Sequence, residues 1–566
     1  MRIFLLLFLL PLKLCAQDLQ LEKFVDSLVG QFNKAGVPGT LIMVSQEGKP
    51  ILKKSYGMAS LEFNVPLTTD HAFAIGSVSK QFTAIAILQL AAAGKLKLSD
   101  DIRKFLPELN TWGQTITVHH MLSHTSGISS TERADWAGFL HQHGVGSHHD
   151  EALKYVMSAK LLFKPGTKFS YNNVAYYINS IIIEKVSGKK FSTYMKDNVF
   201  TPAGMPHTYI ATDQQPLNNL ANSYTRQSGG MWRNENVRRN VWQWGNGSGN
   251  VITTVSDLSQ WDMALRDGKL LPAEWLKKAW TPLYINSDTV NYGYGFEITD
   301  HNGLSIISHS GSIYAYNCLS VQVPEKKLYI FYGTCYPADV SFIPKKIISR
   351  LLNISPPKSS VSREKQVLDY IGNYDLAHVN GRIQSQLSDK HLYLKITASG
   401  DSLFGQYPGR EKVFLRPAGK DRFMTGRPED QIIVFKRNAT GTVESVFFEP
   451  FLFGSPTAFE KNKKVAIPEK PKPVIVEVKP ERLKSYAGSY YRSERDLYFF
   501  VETDGKRLFA YELDPAAKFE LLPVSDNTFV RKGIEDVTVS FKKEGQKVLS
   551  VNVSGNRIIE YRKILD

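Results

Sequence analysis

The chain has 566 residues, 42% hydrophobic and 22% charged, an ordinary globular composition with length for a catalytic domain plus smaller modules. Three cysteines exclude a fold built on disulfides. Many of the lysines behind the net charge of +15 sit in Lys461 to Lys479 and over the C-terminal third, without a groove-entering motif or an aromatic-interleaved basic helix, so nucleic acid is not an expected partner.

Residues 1–16 begin Met1-Arg2, run apolar to Leu10 and finish Leu14-Cys15-Ala16 before the polar Gln17-Asp18, the pattern of a secretory signal peptide. Lys13 interrupts the stretch well short of the roughly 20 apolar residues of a membrane anchor. Leu14 is bulky where lipid attachment at Cys15 wants a small residue. The expectation is cleavage after Ala16, a secreted, periplasmic or extracellular location, and no transmembrane segment in the mature chain.

Leu21, Phe24, Val25, Leu28 and Phe32 then fall at helical spacing up to Gly36. Thr40 to Ser45 and Ile51 to Tyr56 read as a hairpin. Apolar helical patterns follow near 80–93 and 174–187, and strands return at Tyr294–Ile298, Leu304–His309, Tyr316–Val323 and Leu328–Gly333. Strands at both ends with helices between predict an α+β domain over residues 17–354, its sheet made from both termini. Cys318 and Cys335 flank two of these strands, and a disulfide and a pair of buried thiols both fit their places.

Residues 355–364 and 461–480 break the composition and read as linkers. The segments 365–460 and 481–566 repeat each other: Tyr370-Ile371-Gly372-Asn373-Tyr374 answers Tyr486-Ala487-Gly488-Ser489-Tyr490, and Phe423 and Phe435 answer Phe529 and Phe541. Two copies of one small all-β barrel is the economical reading.

Ser-x-x-Lys occurs five times, at Ser77, Ser187, Ser355, Ser362 and Ser540. Only Ser77 follows a strand end, Phe73-Ala74-Ile75-Gly76, and opens an apolar helix. There Lys80, three residues on, shares its helix face and can approach its oxygen as the base a serine nucleophile needs. Tyr171 and Asn173 follow the Pro165-Gly166 turn just before the second helix, and His309-Ser310-Gly311 with Ser312 lies at a strand end.

In order, spacing and flanking segments these motifs resemble the serine β-lactamase and penicillin-binding protein family, in its class C, D-aminopeptidase and carboxylesterase branch, over roughly residues 20–350. Met121 to Gly127, Gly204-Met205 and Gly249 through Leu258 are similar too and read as packing and loop signatures. The resemblance implies that Ser77 attacks a carbonyl, that Lys80 and Tyr171 share the proton work with the acylation base left open between them, and that Asn173 bonds the substrate amide. It also implies an oxyanion hole from the N–H groups of Ser77 and Ser312, with His309 and Gly311 lining the substrate site. His309 stands where the motif usually begins with lysine, and Ala315 or Tyr316 replaces a glycine of the pocket wall.

His141, His143, His148, His149 and Asp150 read as a polar loop over the active-site mouth rather than a zinc site, because their spacing is irregular and no cysteine contributes. No metal or cofactor is expected. The leading function is acyl transfer through a Ser77 ester on amides or esters of D-amino acids or cell-wall-like peptides, with cell-wall polymers as further candidate partners. A β-lactamase or DD-carboxypeptidase is the alternative, and a non-catalytic penicillin-binding-like sensor or wall-binding protein is another. Neither the oligomeric state nor the role of the barrels is legible.

Overall fold

The computed structural model describes residues 20–563 apart from 31–35, 110–111, 130–160, 212–217, 227–230, 236–245, 286–287, 302, 339, 355–366, 380–392, 400–401, 407–411, 425–430, 451–456, 462–473, 493–496, 512–517, 533, 546 and 555–557. The signal segment, linker 355–364, most of linker 461–480 and the histidine-rich loop lie outside the described residues.

Residues 20–29 form helix α1. Strands β1 (Thr40–Gln46) and β2 (Lys49–Tyr56) turn through Glu47 and Gly48, both at positive φ. Four later strands, β3 (Glu297–His301), β4 (Leu304–Ile313), β5 (Tyr316–Val323) and β6 (Leu328–Thr334), complete an antiparallel sheet in the order β3-β4-β5-β6-β1-β2. The seam runs from Thr40 opposite Thr334 to Gln46 opposite Leu328, so the sheet unites the two ends of the domain.

Alternation along β1 divides the interior in two. Leu41 and Met43 face a core shared with helices α2 (Ser79–Ala92), α3 (Asn173–Ser187) and α4 (Val255–Arg266). Ile42 and Val44 face a second core closed by Leu21, Val25 and Val29 of α1 and by Ile343, Ile347 and Ile348 of α5 (Phe342–Leu351). Helix α2 is buried almost all round, as a helix without a polar face must be. Phe82 of α2 stacks on Trp261 of α4 with centroids 4.0 Å apart.

Strands β3 and β4 depart most from the sequence reading. Tyr294 lies outside β3, because Gly293 and Gly295 make a tight approach to the helices: a Cβ would lie 2.0 Å from the Ala279 carbonyl oxygen at Gly293 and 2.7 Å from that of Lys80 at Gly295. Strand β4 runs on past His309 to Ile313, beyond the last residue of β4 that pairs with β3, Ser308. The cysteines are free and buried: Cys318 stands opposite Gly333 rather than Cys335, and burial pushes the Cys335 thiol up to about 12.

The two C-terminal segments are closed eight-stranded barrels, the first from Gly372–Val379 to Thr457–Lys461 and the second from Gly488–Arg492 to Ile558–Lys563. The repeated tyrosine pair has one physical basis. Tyr374 donates its hydroxyl to the Tyr370 carbonyl at 2.7 Å, and Tyr490 does the same to Tyr486 at 2.7 Å. In each copy the first tyrosine packs against two phenylalanines, Phe423 and Phe435 or Phe529 and Phe541. Met424 and Ile432 of the first barrel join the core closed by α1 and α5, whereas the second barrel has a core of its own. Among the described residues no helix is long and apolar enough to cross a membrane.

Candidate active site

The turn that carries Ser77 is fixed from both sides. Before it, Phe73 and Ala74 pair with Thr253 and Ile252, and the Ile75 N–H reaches the Val251 carbonyl at 3.2 Å. After it, residues 76–78 make a 3₁₀ turn that leads into α2 at Ser79. Gly76 has φ +49, and a Cβ there would lie 2.7 Å from the Ser312 nitrogen. At Gly311 a Cβ would lie 2.0 Å from the Ile75 carbonyl oxygen. Two glycines thus let the end of β4 touch the Ser77 turn main chain to main chain.

Lys80 is fully buried in the first turn of α2. Its amine lies 3.1 Å from the Ser77 hydroxyl oxygen, 2.8 Å from Oδ1 of Asn173 and 2.8 Å from the Ser248 carbonyl. The ring of Tyr171 lies beneath it, with Nζ 4.8 Å from the centroid, and that of Tyr176 at 5.6 Å.

Tyr171 is held through its neighbours. Asn172 caps α3 by accepting the Ala175 N–H and donates its amide to the Ile128 carbonyl at 2.6 Å. His124, at φ +58, takes the Ser170 N–H on its carbonyl at 2.8 Å and the Asn172 N–H on Nδ1 at 3.0 Å. Its ring lies 4.4 Å from that of Tyr171.

His309 is buried on β4. Its Nδ1 faces the Ser310 carbonyl at 2.7 Å and its Nε2 the Tyr292 hydroxyl at 3.0 Å, which in turn meets Nε2 of His124 at 3.2 Å. Ser312 is exposed beside Ser77 and Asn173 is exposed at the start of α3. Tyr316 is buried, its ring 5.0 Å from Phe73 and its hydroxyl bonded to the Ala221 carbonyl, so it packs inward.

The structure therefore brings Ser77, Lys80, Tyr171, Asn173 and Ser312 together, with Gly311 at the contact between strand and turn and His309 embedded behind. The sequence reading did not single out His124, Tyr292 or Ser248. His124 is the centre of Met121 to Gly127, a stretch whose sequence reads only as a packing and loop signature. Ser248 contributes only its carbonyl, which no side-chain pattern announces. Among the described residues no cluster of metal-ligating side chains occurs.

Comparison with known proteins bears on this geometry. Residues 25–344 match the family described as Beta-lactamase. The chain is 26% identical over 404 residues to penicillin-binding protein 4* of Bacillus subtilis, covering 66% of this chain and 87% of that protein. It is 31% identical over 271 residues to the putative penicillin-binding protein PbpX of the same organism, covering 46% of this chain and 62% of that one, so it spans less than two thirds of PbpX. Among solved structures, the octameric penicillin-binding protein homologue from Pyrococcus abyssi aligns with a TM-score of 0.53 at 23% identity over 78% of this chain and 99% of that one, a likeness of fold. With a family match over more than half its length and a serine, a buried lysine and a tyrosine gathered beneath the edge of its sheet, the chain belongs to the Beta-lactamase family of serine hydrolases.

Proposed function

We propose that the chain is a secreted hydrolase that cleaves amide or ester bonds through an acyl-enzyme at Ser77, on D-amino-acid amides, cell-wall-like peptides or esters. The observation that carries this reading is the three-oxygen setting of the Lys80 amine. A neutral amine has two N–H donors and one lone pair. Donating to Asn173 and Ser248 leaves the lone pair for the Ser77 proton, so the serine oxygen attacks as its proton moves to nitrogen. Tyr171, whose ring lies against the amine, is in this reading the second group that shares the proton work. The Ser77 and Ser312 N–H groups are the candidate oxyanion hole, where each donor is typically worth about 2.7 to 4 kcal/mol in the transition state.

The substrate reaches this centre along the end of β4, where residues beyond Ser308 have no β3 partner. In this reading Asn173, exposed and bonded to the Lys80 amine, also bonds the scissile amide. The partners are small-molecule or peptide substrates, and the basic C-terminal third favours anionic envelope polymers as a second partner.

Labelling with a fluorescent phosphonate followed by peptide mass mapping tests the assignment: a single adduct on Ser77 supports it. Labelling elsewhere, or none with an active preparation, overturns it.

A further inference from the structure

The contacts of His124, Tyr292 and His309 form a chain in which the direction of each hydrogen bond is set by the one before it. The Asn172 N–H can only donate, so Nδ1 of His124 accepts. A neutral His124 then carries its proton on Nε2, which faces the Tyr292 oxygen at 3.2 Å. At the other end, Nδ1 of His309 lies 2.7 Å from the Ser310 carbonyl, which can only accept, so Nδ1 is protonated. A neutral His309 therefore has a bare Nε2, 3.0 Å from the Tyr292 hydroxyl, and Tyr292 supplies the hydrogen. The chain runs one way, from the Asn172 amide to the Ser310 carbonyl.

Each end holds a working part of the site. His124 bonds the amides on both sides of Tyr171 and packs its ring 4.4 Å away. His309 bonds the carbonyl two residues before Ser312. The three rings enclose Tyr171, with that of Tyr292 at 6.3 Å and that of His309 at 6.1 Å.

We infer that Tyr292 is a positioning residue: by accepting from His124 and donating to His309 it holds both histidines neutral, in opposite tautomers, and locks the Tyr171 segment to strand β4. A neutral His309 with both nitrogens engaged offers a substrate no cation, so the site takes acyl donors without a carboxylate beside the scissile bond. This rests on the acyl-enzyme reading for the roles of Tyr171 and Ser312.

Among the described residues, the groups that bear on His309 include Tyr292 itself, the Tyr171 ring with the Lys80 amine above it, Ser320 opposite on β5, and Tyr176, whose hydroxyl neighbours Tyr292 but gives its own hydrogen to the Leu122 carbonyl at 2.8 Å. Tyr176 is the competing acceptor for the Tyr292 hydrogen. If it won, Nε2 of His309 would have to be protonated and the imidazole cationic.

Nitrogen NMR on the full chain labelled with ¹⁵N-histidine reads the tautomers directly, with His124→Gln and His309→Gln assigning the signals. The expected result between pH 6 and 8 is Nε2–H for His124 and Nδ1–H for His309, neither titrating. In Tyr292→Phe both signals should move and His309 should titrate. There kcat for p-nitrophenyl acetate should fall about tenfold with KM within about twofold, and a new limb should enter the pH profile near the ordinary histidine value of about 6.5. A doubly protonated or Nε2–H His309 in the unaltered protein at pH 7 overturns the inference, whether or not the variant folds. So do unchanged histidine signals and kinetics in Tyr292→Phe. Because the spectrum does not depend on turnover, failure of acylation at Ser77 would be recognised separately.

Discussion

Gly76 and Ser312 meet main chain to main chain: a Cβ on residue 76 would stand 2.7 Å from the Ser312 nitrogen and 3.0 Å from its carbonyl oxygen. In the proposed mechanism this contact sets the separation of the Ser77 and Ser312 N–H groups. Gly76→Ala meets backbone rather than a side chain that can swing aside, and φ +49 is a left-handed conformation that costs a residue with a Cβ about 1 to 2 kcal/mol. The expected outcome is a lower melting temperature together with phosphonate labelling slowed by roughly 100-fold, the scale of a 1 Å misplacement. Labelling at the parental rate would show that the contact does not set the geometry.

In the proposed mechanism Ser77 and Lys80 act as one unit, so removing either should be about equally damaging, since the effects of such groups are not additive. Ser77→Ala is expected to abolish covalent labelling and lower turnover by about 10⁴-fold or more while the chain still folds. Lys80→Ala also strips a donor from Asn173 and from the Ser248 carbonyl, so it should lose stability as well as activity. Tyr171→Phe keeps the stacking beneath the amine and isolates the hydroxyl. Steady-state kinetics with thermal melts on the three variants checks this, and full activity in Ser77→Ala would sink the assignment.

Much of this arrangement was readable beforehand because it rests on periodicity and on short-range spacing. The apolar run between Thr40 and Ser45, the apolar helix after Ser77 and the paired tyrosines of the two repeats each have a local cause that survives into the fold. What escaped was long-range. That His124 would clamp the backbone around Tyr171, or that Tyr292 would bridge two histidines 185 positions apart in the chain (124 to 309), depends on side chains meeting across elements. The strand extension to Ile313 escaped because His309-Ser310-Gly311-Ser312 is polar and glycine-containing and reads as a strand end. It continues because β5 supplies partners as far as Tyr316 opposite Ile313.

The two barrels should separate from the catalytic domain unequally. The Pro- and Lys-rich joints are expected to be cut near Lys358 and near Lys464 before other sites. Cleavage at Lys479 should lag, because Val478 is buried in the second barrel's core and the Val476 N–H bonds the Pro523 carbonyl at 3.0 Å. Losing the second barrel should leave the melting temperature of the remainder almost unchanged. Losing the first removes Met424 and Ile432 from the core they share with α1 and α5, so a chain ending at Leu352 should expose apolar surface, melt lower and self-associate. Mass spectrometry of a limited digest and melts of the two truncations decide this.

Acid stability should be limited by a histidine in the helix Val118–Leu122. His120 accepts the Thr117 N–H on Nδ1 in a reciprocal cap, and burial, with the neighbouring His119 adding to it, pushes its pKa down to about 4. In the unfolded chain the same group titrates near 6.5. Between those values the unfolded state binds more protons, so this contribution is complete above about pH 6.5 and is lost as pH falls toward 4. His120→Gln should flatten the fall in melting temperature between pH 7 and 5, and an unchanged slope would remove His120 from the account.

Substrate choice is expected to turn on His309. A lysine at that position would present a permanent cation to a substrate carboxylate, whereas His309 is buried with its nitrogens bonded to Ser310 and Tyr292. Penicillins, cephalosporins and peptides ending in D-Ala-D-Ala all carry a carboxylate near the scissile bond, so each forgoes a charge-assisted hydrogen bond typically worth about 1.5 to 3 kcal/mol, or roughly 10- to 100-fold in kcat/KM. Substrates without that carboxylate forgo nothing. Short-chain p-nitrophenyl esters and D-amino-acid amides should accordingly be turned over better than β-lactams. His309→Lys should move the preference toward carboxylate-bearing substrates, although a lysine there also leaves Tyr292 without its acceptor, so the shift is read from the ratio of two substrates rather than from either rate. Side-by-side kinetics on a cephalosporin, a D-alanine anilide and a short-chain ester give that ratio. Efficient cephalosporin hydrolysis by the unaltered chain at neutral pH would mean that another cation reaches the carboxylate, and the β-lactamase reading would then take the place of the esterase and amidase one.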